Sequence, residues 1–258
     1  MFNDWMEIES IYGNPSMCIW GGGRQGIFYC DEYFIRDIAK EFQVKIGLTF
    51  SNLILKEEHI SDTYCNFLLK LFDKQDNYII VSSPILENYI KQNYPNYKLI
   101  SSTTKCLSKF QELEEELNNP NFDLVCLDYN FNNIFPSLEK IKDKDRCEIL
   151  VNPVCKRGCP YAKWHYTAVS KTYFHDFDTG DDPGDCMTCS HQGIPLFKAL
   201  KQSTFITPED IRDKYMPLGF KHFKIEGRNR PRQSFIEVIS YYMIKPERQI
   251  EFRERCTW

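Results

Sequence analysis

The sequence lacks the segments that would place it in or across a membrane. Its 258 residues contain no uncharged apolar run of the roughly 18 residues that a membrane helix needs. Residues 1–10 carry acidic side chains where a secretory signal peptide would carry basic ones. We therefore expect a soluble, cytoplasmic protein with no membrane partner.

Basic blocks and hydrolase motifs are missing as well. The formal net charge is −4, and charges of both signs are spread along the chain. This argues against a dedicated nucleic-acid surface but leaves room for a local patch. There is no Gly-x-Ser-x-Gly or His-Glu-x-x-His motif, and no cysteine and histidine are marked as a catalytic pair. A peptidase therefore has no motif in its support and is only an alternative.

The 11 cysteines do not read as a disulfide framework. Cys30, Cys106, Cys126 and Cys147 stand in or beside apolar runs, where a free thiol behaves as a small hydrophobic side chain. Free thiols persist in a reducing compartment, which agrees with the expected cytoplasmic location.

Apolar runs alternate with amphipathic segments along most of the chain. With 42% hydrophobic residues the chain can bury the core of one large α/β domain or of two small ones. The alternation is typical of β-α-β units with parallel strands. Because no glycine-rich phosphate turn follows the first run, a closed or nearly closed barrel is favoured over an open doubly wound sheet. We predict a single TIM-barrel-like (β/α) domain over residues 1–258, incomplete or irregular.

The elements of this barrel can be placed on the sequence. Thr207 offers an N-cap before Pro208, and Gly219 stands where a helix-to-strand loop needs a left-handed residue. The predicted strands are residues 26–30, 44–50, 78–82, 98–102, 124–128, 147–151 and 222–226. The predicted helices are residues 32–42, 59–72, 84–92, 107–117, 135–141 and 207–215.

One long interval interrupts the alternation. Residues 152–206 separate a strand from the next helix, whereas an ordinary βα loop has about 2 to 6 residues. We interpret this interval as a loop insertion, and it contains Cys155, Cys159, Cys186 and Cys189. Two thiol pairs with short internal gaps, far apart in sequence, are typical of a single metal ion or cluster. The sequence therefore predicts a four-cysteine metal centre in this loop.

The spacing leaves the metal open. Zinc accepts four thiolates, and so does a [4Fe-4S] cluster, for which Cys159-Pro160 matches the Cys-Pro of bacterial ferredoxin ligand runs. From the residues alone the two metals are equally supported. Lys156 and Arg157 would place positive charge beside the thiolates. His165 and His191 lie near the cysteine pairs, but four thiolates already complete either ligand set.

Polar residues follow the predicted strands. In a parallel barrel the carboxyl ends of the strands meet at one mouth, where active sites are built, although turn chemistry also explains Ser, Asn and Asp there. We predict catalytic roles for Asp128, Asn130, Glu226 and Arg228, because charge is costly to bury and arginine can hold a carboxylate or phosphate in a bidentate grip. The cysteine loop starts after Asn152, so the metal centre and this polar pocket would be neighbours.

The segment Gly219-Phe-Lys-His-Phe-Lys-Ile-Glu-Gly-Arg228 resembles the signature segment of the peptidase U32 family, in which a strand ending in Lys-Ile-Glu-Gly-Arg follows a cysteine-bearing loop. Cys147-Glu-Ile-Leu-Val-Asn-Pro-Val-Cys155 and the following Cys-Pro are similar to the family's approach to that loop. The cysteine spacing and the N-terminal segment depart from the family pattern, so the chain resembles a short, divergent member.

The resemblance implies a fold, a cofactor and a chemistry. Family members are similar to TIM barrels, and several carry a [4Fe-4S] cluster, a role that falls here on Cys155, Cys159, Cys186 and Cys189. The strand-end role falls on Glu226 and Arg228. Some members act in oxygen-independent hydroxylation of quinone precursors or RNA bases, in part as heterodimers, and others were named peptidases. The resemblance therefore favours iron–sulfur over zinc.

The function implied is that of an iron–sulfur barrel enzyme, or enzyme subunit, with redox, hydroxylation or group-transfer chemistry. Its substrate would be a small aromatic molecule or an RNA-borne base, and a heteromeric protein partner is a further implication. A zinc-stapled barrel acting as a binding or scaffold module is the first alternative, and a peptidase is the second.

Overall fold

A computed structural model describes residues 1–15, 17–23, 31–74, 76–174, 199–227 and 231–256. The chain divides into two compact units by its internal contacts. One, called here the five-strand unit, comprises Ile8–Cys126 and Pro160–Asp185. The other, called the two-strand unit, comprises Met1–Glu7, Leu127–Cys159 and Cys186–Trp258. The single domain over residues 1–258 stays a prediction. Within the described ranges, no helix has the length and apolar character to cross a membrane.

Strands and helices alternate along both units. The strands are β1 (Ser10–Gly13), β2 (Lys45–Phe50), β3 (Tyr78–Val81), β4 (Lys98–Ser101), β5 (Leu124–Cys126), β6 (Cys147–Leu150) and β7 (His222–Lys224). The helices are α1 (Glu32–Glu41), α2 (Thr63–Leu71), α3 (Pro84–Asn93), α4 (Phe110–Leu117), α5 (Phe135–Leu138), α6 (Ala162–Thr172), α7 (Pro208–Asp210), α8 (Met216–Leu218), α9 (Arg232–Met243) and α10 (Gln249–Cys256). A π-helical turn, Ile211–Tyr215, joins α7 to α8.

In the five-strand unit, β1 to β5 pair in chain order and each strand is parallel to the next. One face of this sheet carries a buried apolar cluster. Residues two apart in a strand point to the same face of the sheet. Ser82 and Ser102, which directly follow β3 and β4, therefore lie on the face that carries this cluster. The cluster consists of Tyr78, Ile80, Ile100, Leu124 and Cys126, with Tyr12 packed against it.

The two-strand unit is built on the parallel pair β6 and β7, in which Ile149 is in register with Phe223. The phenol of Tyr242 in α9 donates to the carbonyl oxygen of Ile206 at 2.8 Å. Tyr215 is fully buried and its ring packs 5.9 Å from that of Phe220. These buried aromatic side chains are part of the interior of the unit.

Local capping explains where the helices begin. The Asp62 carboxylate accepts from the N–H of Cys65 at 2.7 Å, so residues 59–72, predicted as one helix, are divided into the 3-10 turn Glu57–Ser61 and α2. The N-cap predicted at Thr207 is confirmed, since its hydroxyl accepts from the N–H of Asp210 at 3.1 Å. Gly219 has a φ of +107°, the left-handed conformation that was predicted.

The predicted α/β fold with parallel strands is confirmed. The strands predicted from residue 44 onward are all present, whereas the one predicted over 26–30 lies outside the described residues. β1 was not predicted. Residues 152–206 were predicted to be a loop, which was wrong for residues 162–172 because they form α6. Residues 175–198 of this interval lie outside the described residues. The described residues form seven strands, one fewer than in a complete (β/α) barrel of eight, which is consistent with an incomplete TIM-like barrel.

Candidate metal and strand-end site

Two of the predicted metal ligands lie in one turn after β6, in the two-strand unit. Cys155 is buried and packs with Tyr129 and Val154, while Cys159 is partly exposed. Between them Gly158 has a φ of +66°, which a residue with a side chain rarely adopts. This left-handed glycine lets the chain reverse, so that Cys155 and Cys159 belong to the same compact turn. The turn can offer two thiolates to a metal centre.

The guanidinium of Arg157 fastens this turn to two other segments. Nη2 donates to the carbonyl oxygens of Asn132 at 2.6 Å and Ser203 at 2.9 Å, and Nη1 donates to the carbonyl oxygen of Asn130. Hydrogen bonds from a charged donor are stronger than those between neutral groups. The sequence predicted only a cation beside the thiolates, whereas Arg157 is engaged by backbone oxygens and holds the turn in place.

Asp128 and Asn130 lie against the same turn. Asp128 is 3% exposed, and its Oδ1 accepts from the N–H of Asn130 at 2.8 Å, which caps the 3-10 turn Tyr129–Phe131. Asn130 in turn accepts from the N–H of Gly158 through Oδ1 at 2.6 Å. The structure thus brings two of the predicted catalytic residues next to the Cys155–Cys159 turn. Both also perform the ordinary turn chemistry that was the competing interpretation.

Glu226, just beyond β7, is joined to Asn152, just beyond β6. The N–H of Glu226 donates to Asn152 Oδ1 at 2.6 Å, and Asn152 Nδ2 donates to the carbonyl oxygen of Glu226 at 2.8 Å. Asn152 is 1% exposed and Glu226 is 8% exposed. The pair fixes the backbone that carries the Glu226 carboxylate, so that this carboxylate occupies a defined place at the strand end.

Two asparagines that the sequence analysis did not single out complete the network. Asn132 Nδ2 donates to the carbonyl oxygens of Leu150 at 2.8 Å and Thr204 at 2.7 Å. The N–H of Asn133 donates to the phenol oxygen of Tyr215 at 2.7 Å. Burial raises the pKa of Tyr215 to about 12, against the opposing influence of the Asn133 N–H and the Arg157 charge. The repeated asparagines after β5 were the available sequence signal, because asparagine side chains readily bind backbone groups in turns.

A further pair missed from the sequence joins the strands themselves. Lys224 Nζ lies 2.8 Å from Glu148 Oε2, and these side chains are 10% and 13% exposed. Lys224 is the last residue of β7, two residues before Glu226. The available signal was Glu148 within the otherwise apolar β6 and Lys224 at the end of β7.

The five-strand unit has its own polar strand ends. The Ser82 and Thr104 hydroxyl oxygens lie 2.6 Å apart, and those of Ser102 and Thr104 lie 3.0 Å apart. Asn52 is fully buried, and its Nδ2 donates to the carbonyl oxygens of Ile19 and Ser170. Within this unit, the predicted clustering of polar residues beyond neighbouring strands is therefore present for β3 and β4.

The remaining predicted site residues, Arg228, Cys186 and Cys189, lie outside the described residues, as does His191. In the parts of the chain that are described, no three His, Cys, Asp or Glu side chains are grouped as metal ligands. The described turn thus supplies one thiol pair. The four-cysteine centre and the catalytic roles of Asp128, Asn130, Glu226 and Arg228 stay predictions.

Comparison with known proteins finds a similarity in structure but none in sequence. No protein-family model matches the sequence, and no curated protein matches it. The solved structure of the U32 peptidase Mk0906 superimposes with a TM-score of 0.57 at 13% sequence identity, over 86% of this chain and 86% of that chain. An identity this low is informative about the fold only. The protein is therefore similar to the U32 peptidase Mk0906 in its fold.

Proposed function

We propose that the protein is an iron–sulfur enzyme, or enzyme subunit, of the U32-like type, acting by redox or hydroxylation chemistry on a small aromatic or RNA-borne substrate. The observation that carries the proposal is the attachment of the Cys155–Cys159 turn to the Asp128–Asn130 segment through the Gly158–Asn130 hydrogen bond of 2.6 Å. A thiol pair and a buried carboxylate thereby share one network. A cytoplasmic location and a heteromeric partner belong to the same proposal.

The donor set fits the cofactor in its chemistry. Cys155 is buried beside Tyr129 and Val154, and shielding from water is one of the factors that tune a cluster. A [4Fe-4S] cluster held by Cys155, Cys159, Cys186 and Cys189 would supply electron transfer, or a labile iron position for substrate. The U32-like fold and the Lys-Ile-Glu-Gly-Arg segment support iron–sulfur over zinc.

The remaining groups would bind substrate and move protons. A carboxylate at a buried position, such as Asp128 or Glu226, can act as a general acid or base once substrate displaces water. Arg228 would bind an anionic group of the substrate, since its guanidinium stays charged and can form two parallel hydrogen bonds. Asn130 and Asn152 would act as positioning residues, because their amides hold the turn and the Glu226 backbone.

Anaerobic purification tests this proposal. We expect a coloured protein with a broad absorption near the blue end of the visible spectrum, together with bound iron and acid-labile sulfide. Single replacements of Cys155, Cys159, Cys186 or Cys189 by serine should each abolish the colour and the bound iron. Cys126→Ser is the matched control, because Cys126 is buried in the apolar cluster of the five-strand unit and should not affect metal content.

Two results would decide for the alternatives. A colourless protein that binds one stoichiometric zinc would contradict the iron–sulfur proposal and favour a barrel whose loop is held by zinc and that acts as a binding or scaffold module. In that case, replacing Cys155 or Cys189 should destabilise the loop without abolishing an activity. The peptidase alternative is supported only by the similarity in fold to the solved structure of Mk0906, which is called a U32 peptidase. Peptide cleavage that survives replacement of all four loop cysteines would favour it.

A further inference from the structure

We propose that Cys18 and Cys65 form a redox-active thiol pair that closes to a disulfide when the protein meets a peroxide. The two Sγ atoms lie 2.9 Å apart, and either thiol could donate the hydrogen bond between them. Both cysteines are 0% exposed and both are free thiols. A disulfide bond measures about 2.05 Å, so closing the bond requires the sulfur atoms to approach by less than an ångström.

Each thiol is held in place by its own element within the five-strand unit. Cys18 lies in a turn after β1, in which its carbonyl oxygen accepts from the N–H of Gly21 at 2.9 Å. Cys65 lies in the first turn of α2, where its N–H donates to the Asp62 carboxylate at 2.7 Å. Because both backbones are fixed by hydrogen bonds, the two sulfur atoms are directed at each other by the native fold.

Burial determines when the pair reacts. Desolvation is the largest cause that raises the pKa of Cys65, followed by the hydrogen bond with Cys18, so the group is a thiol rather than a thiolate in the closed structure. Buried thiols react slowly because the thiolate is the nucleophile. Oxidation therefore requires a transient opening of the segment that carries Cys18.

The chemistry balances with one peroxide. Once exposed, one sulfur atom attacks hydrogen peroxide and becomes a sulfenic acid, with release of one water. The second thiol attacks this sulfur, forms the S–S bond, and a second water leaves with the thiol proton and the sulfenic hydroxyl. Two thiols are oxidised by two electrons, and hydrogen peroxide is reduced to two waters. A reducing dithiol reverses the bond by exchange.

The disulfide would lock a segment that lies against the end of β2. The N–H of Asn52 donates to the carbonyl oxygen of Trp20 at 3.1 Å. The Trp20 indole N–H donates to the carbonyl oxygen of His59 at 2.8 Å. A bond between Cys18 and Cys65 would tie this segment covalently to α2, so that oxidation prevents its opening. The oxidation of this pair needs no metal ion.

Peptide mapping after oxidation tests the proposal. Reduced, folded protein is treated with hydrogen peroxide, quenched by alkylation under denaturing conditions, digested without reductant and analysed by mass spectrometry. We expect one crosslinked species joining the Cys18 and Cys65 peptides, lighter by two hydrogens and removed by dithiothreitol. Its rate of formation should level off at high peroxide concentration, because opening limits it. The oxidised protein should also unfold at a higher temperature than the reduced one.

Variants separate this pair from the other thiols. Cys106→Ser should keep the crosslink, since Cys106 is a partly exposed cysteine outside the pair, whereas Cys18→Ser and Cys65→Ser should lose it. The wild-type measurement stands even if a variant fails to fold. Recovery of Cys18 and Cys65 as alkylated thiols, while exposed cysteines are oxidised, would overturn the proposal. A dominant crosslink from either one to a third cysteine would overturn it as well.

Discussion

Asn152 and Glu226 are joined by a two-way hydrogen bond between one amide side chain and one peptide backbone. Asn152 Oδ1 accepts from the N–H of Glu226 at 2.6 Å, and Asn152 Nδ2 donates to the carbonyl oxygen of the same residue at 2.8 Å. The amide therefore makes the two hydrogen bonds that the backbone of a neighbouring strand would make, beyond the last paired residues of β6 and β7. It extends the order of the sheet into the segment that carries a predicted catalytic carboxylate.

Replacing Asn152 by alanine should destabilise the protein more than an ordinary asparagine replacement. The N–H and carbonyl groups of Glu226 would lose their partner, at a cost of about 1 to 3 kcal/mol for each buried group. Urea unfolding measures the loss. The control is Asn93→Ala, because Asn93 is exposed and its side-chain Nδ2 donates to the Tyr89 carbonyl oxygen at the surface of α3; its effect should stay within about 0.5 kcal/mol. Equal effects of the two replacements would contradict the role given to Asn152.

Gly22→Ala should displace the chain from the end of β2. A Cβ at Gly22 would lie 2.4 Å from the carbonyl oxygen of Ser51, which is backbone and cannot rotate away. Overpacking of this kind costs about 1 to 3 kcal/mol. Gly13→Ala is the matched control, since a Cβ there meets no atom within 4 Å. Thermal unfolding of the two variants should separate them clearly, and a neutral Gly22→Ala would show that the segment moves freely.

Lys224 and Glu148 should show strong coupling in a double-mutant cycle. Removing Lys224 alone, as Lys224→Met, leaves the Glu148 carboxylate nearly buried without its 2.8 Å partner, and a loss of about 3 to 5 kcal/mol is expected. The double variant Lys224→Met with Glu148→Leu should recover most of this loss, because no unpaired charge remains. Arg212→Met removes a comparable pair that is about half exposed, and should cost less than about 1 kcal/mol. If the losses of stability from Lys224→Met and Glu148→Leu simply added in the double variant, this would contradict a strong interaction between the two side chains away from water.

The sequence predicted the elements with clear periodicity and missed those without it. β2 to β7 follow apolar runs, whereas β1 is only Ser-Ile-Tyr-Gly, with one strongly apolar side chain. In α6 the buried residues include His165 and Ser170 beside Tyr166 and Val169, so no apolar stripe marks the helix.

The same limit applies to the candidate site. The rule that parallel strand ends meet at one edge predicted that Asp128, Asn130 and Asn152 lie near the cysteine loop. Asn130 is hydrogen-bonded to Gly158 of the Cys155–Cys159 turn, and the roles of the site residues stay predictions. The sequence could not show that Arg157 binds the carbonyl oxygens of Asn130 and Ser203. Every residue has a backbone carbonyl group, so residue types do not reveal which of these groups accepts a hydrogen bond. Contacts of long side chains with distant backbone depend on the finished fold.

Alkaline pH should reveal the buried phenol of Tyr215. Burial raises its pKa from the ordinary 10.0 to about 12. The unfolded chain therefore releases this proton first, and the stabilisation is complete below pH 10 and is lost as the pH rises from 10 to 12. In this window the loss from one phenol amounts to about 3 kcal/mol at most. Other buried tyrosines also titrate, so the measurement needs a variant that removes this phenol alone.

Tyr215→Phe provides that comparison, because both proteins share every other titrating group. Below pH 10 the wild type should be more stable by about 1 kcal/mol, since the phenol accepts from the N–H of Asn133 at 2.7 Å. Between pH 10 and pH 12 this advantage should shrink and then reverse, because only the wild type must keep the Tyr215 phenol protonated in order to fold. The free energies of unfolding come from guanidinium titrations at each pH. A constant difference between the two proteins across the window would mean that Tyr215 is more accessible to water than its complete burial implies.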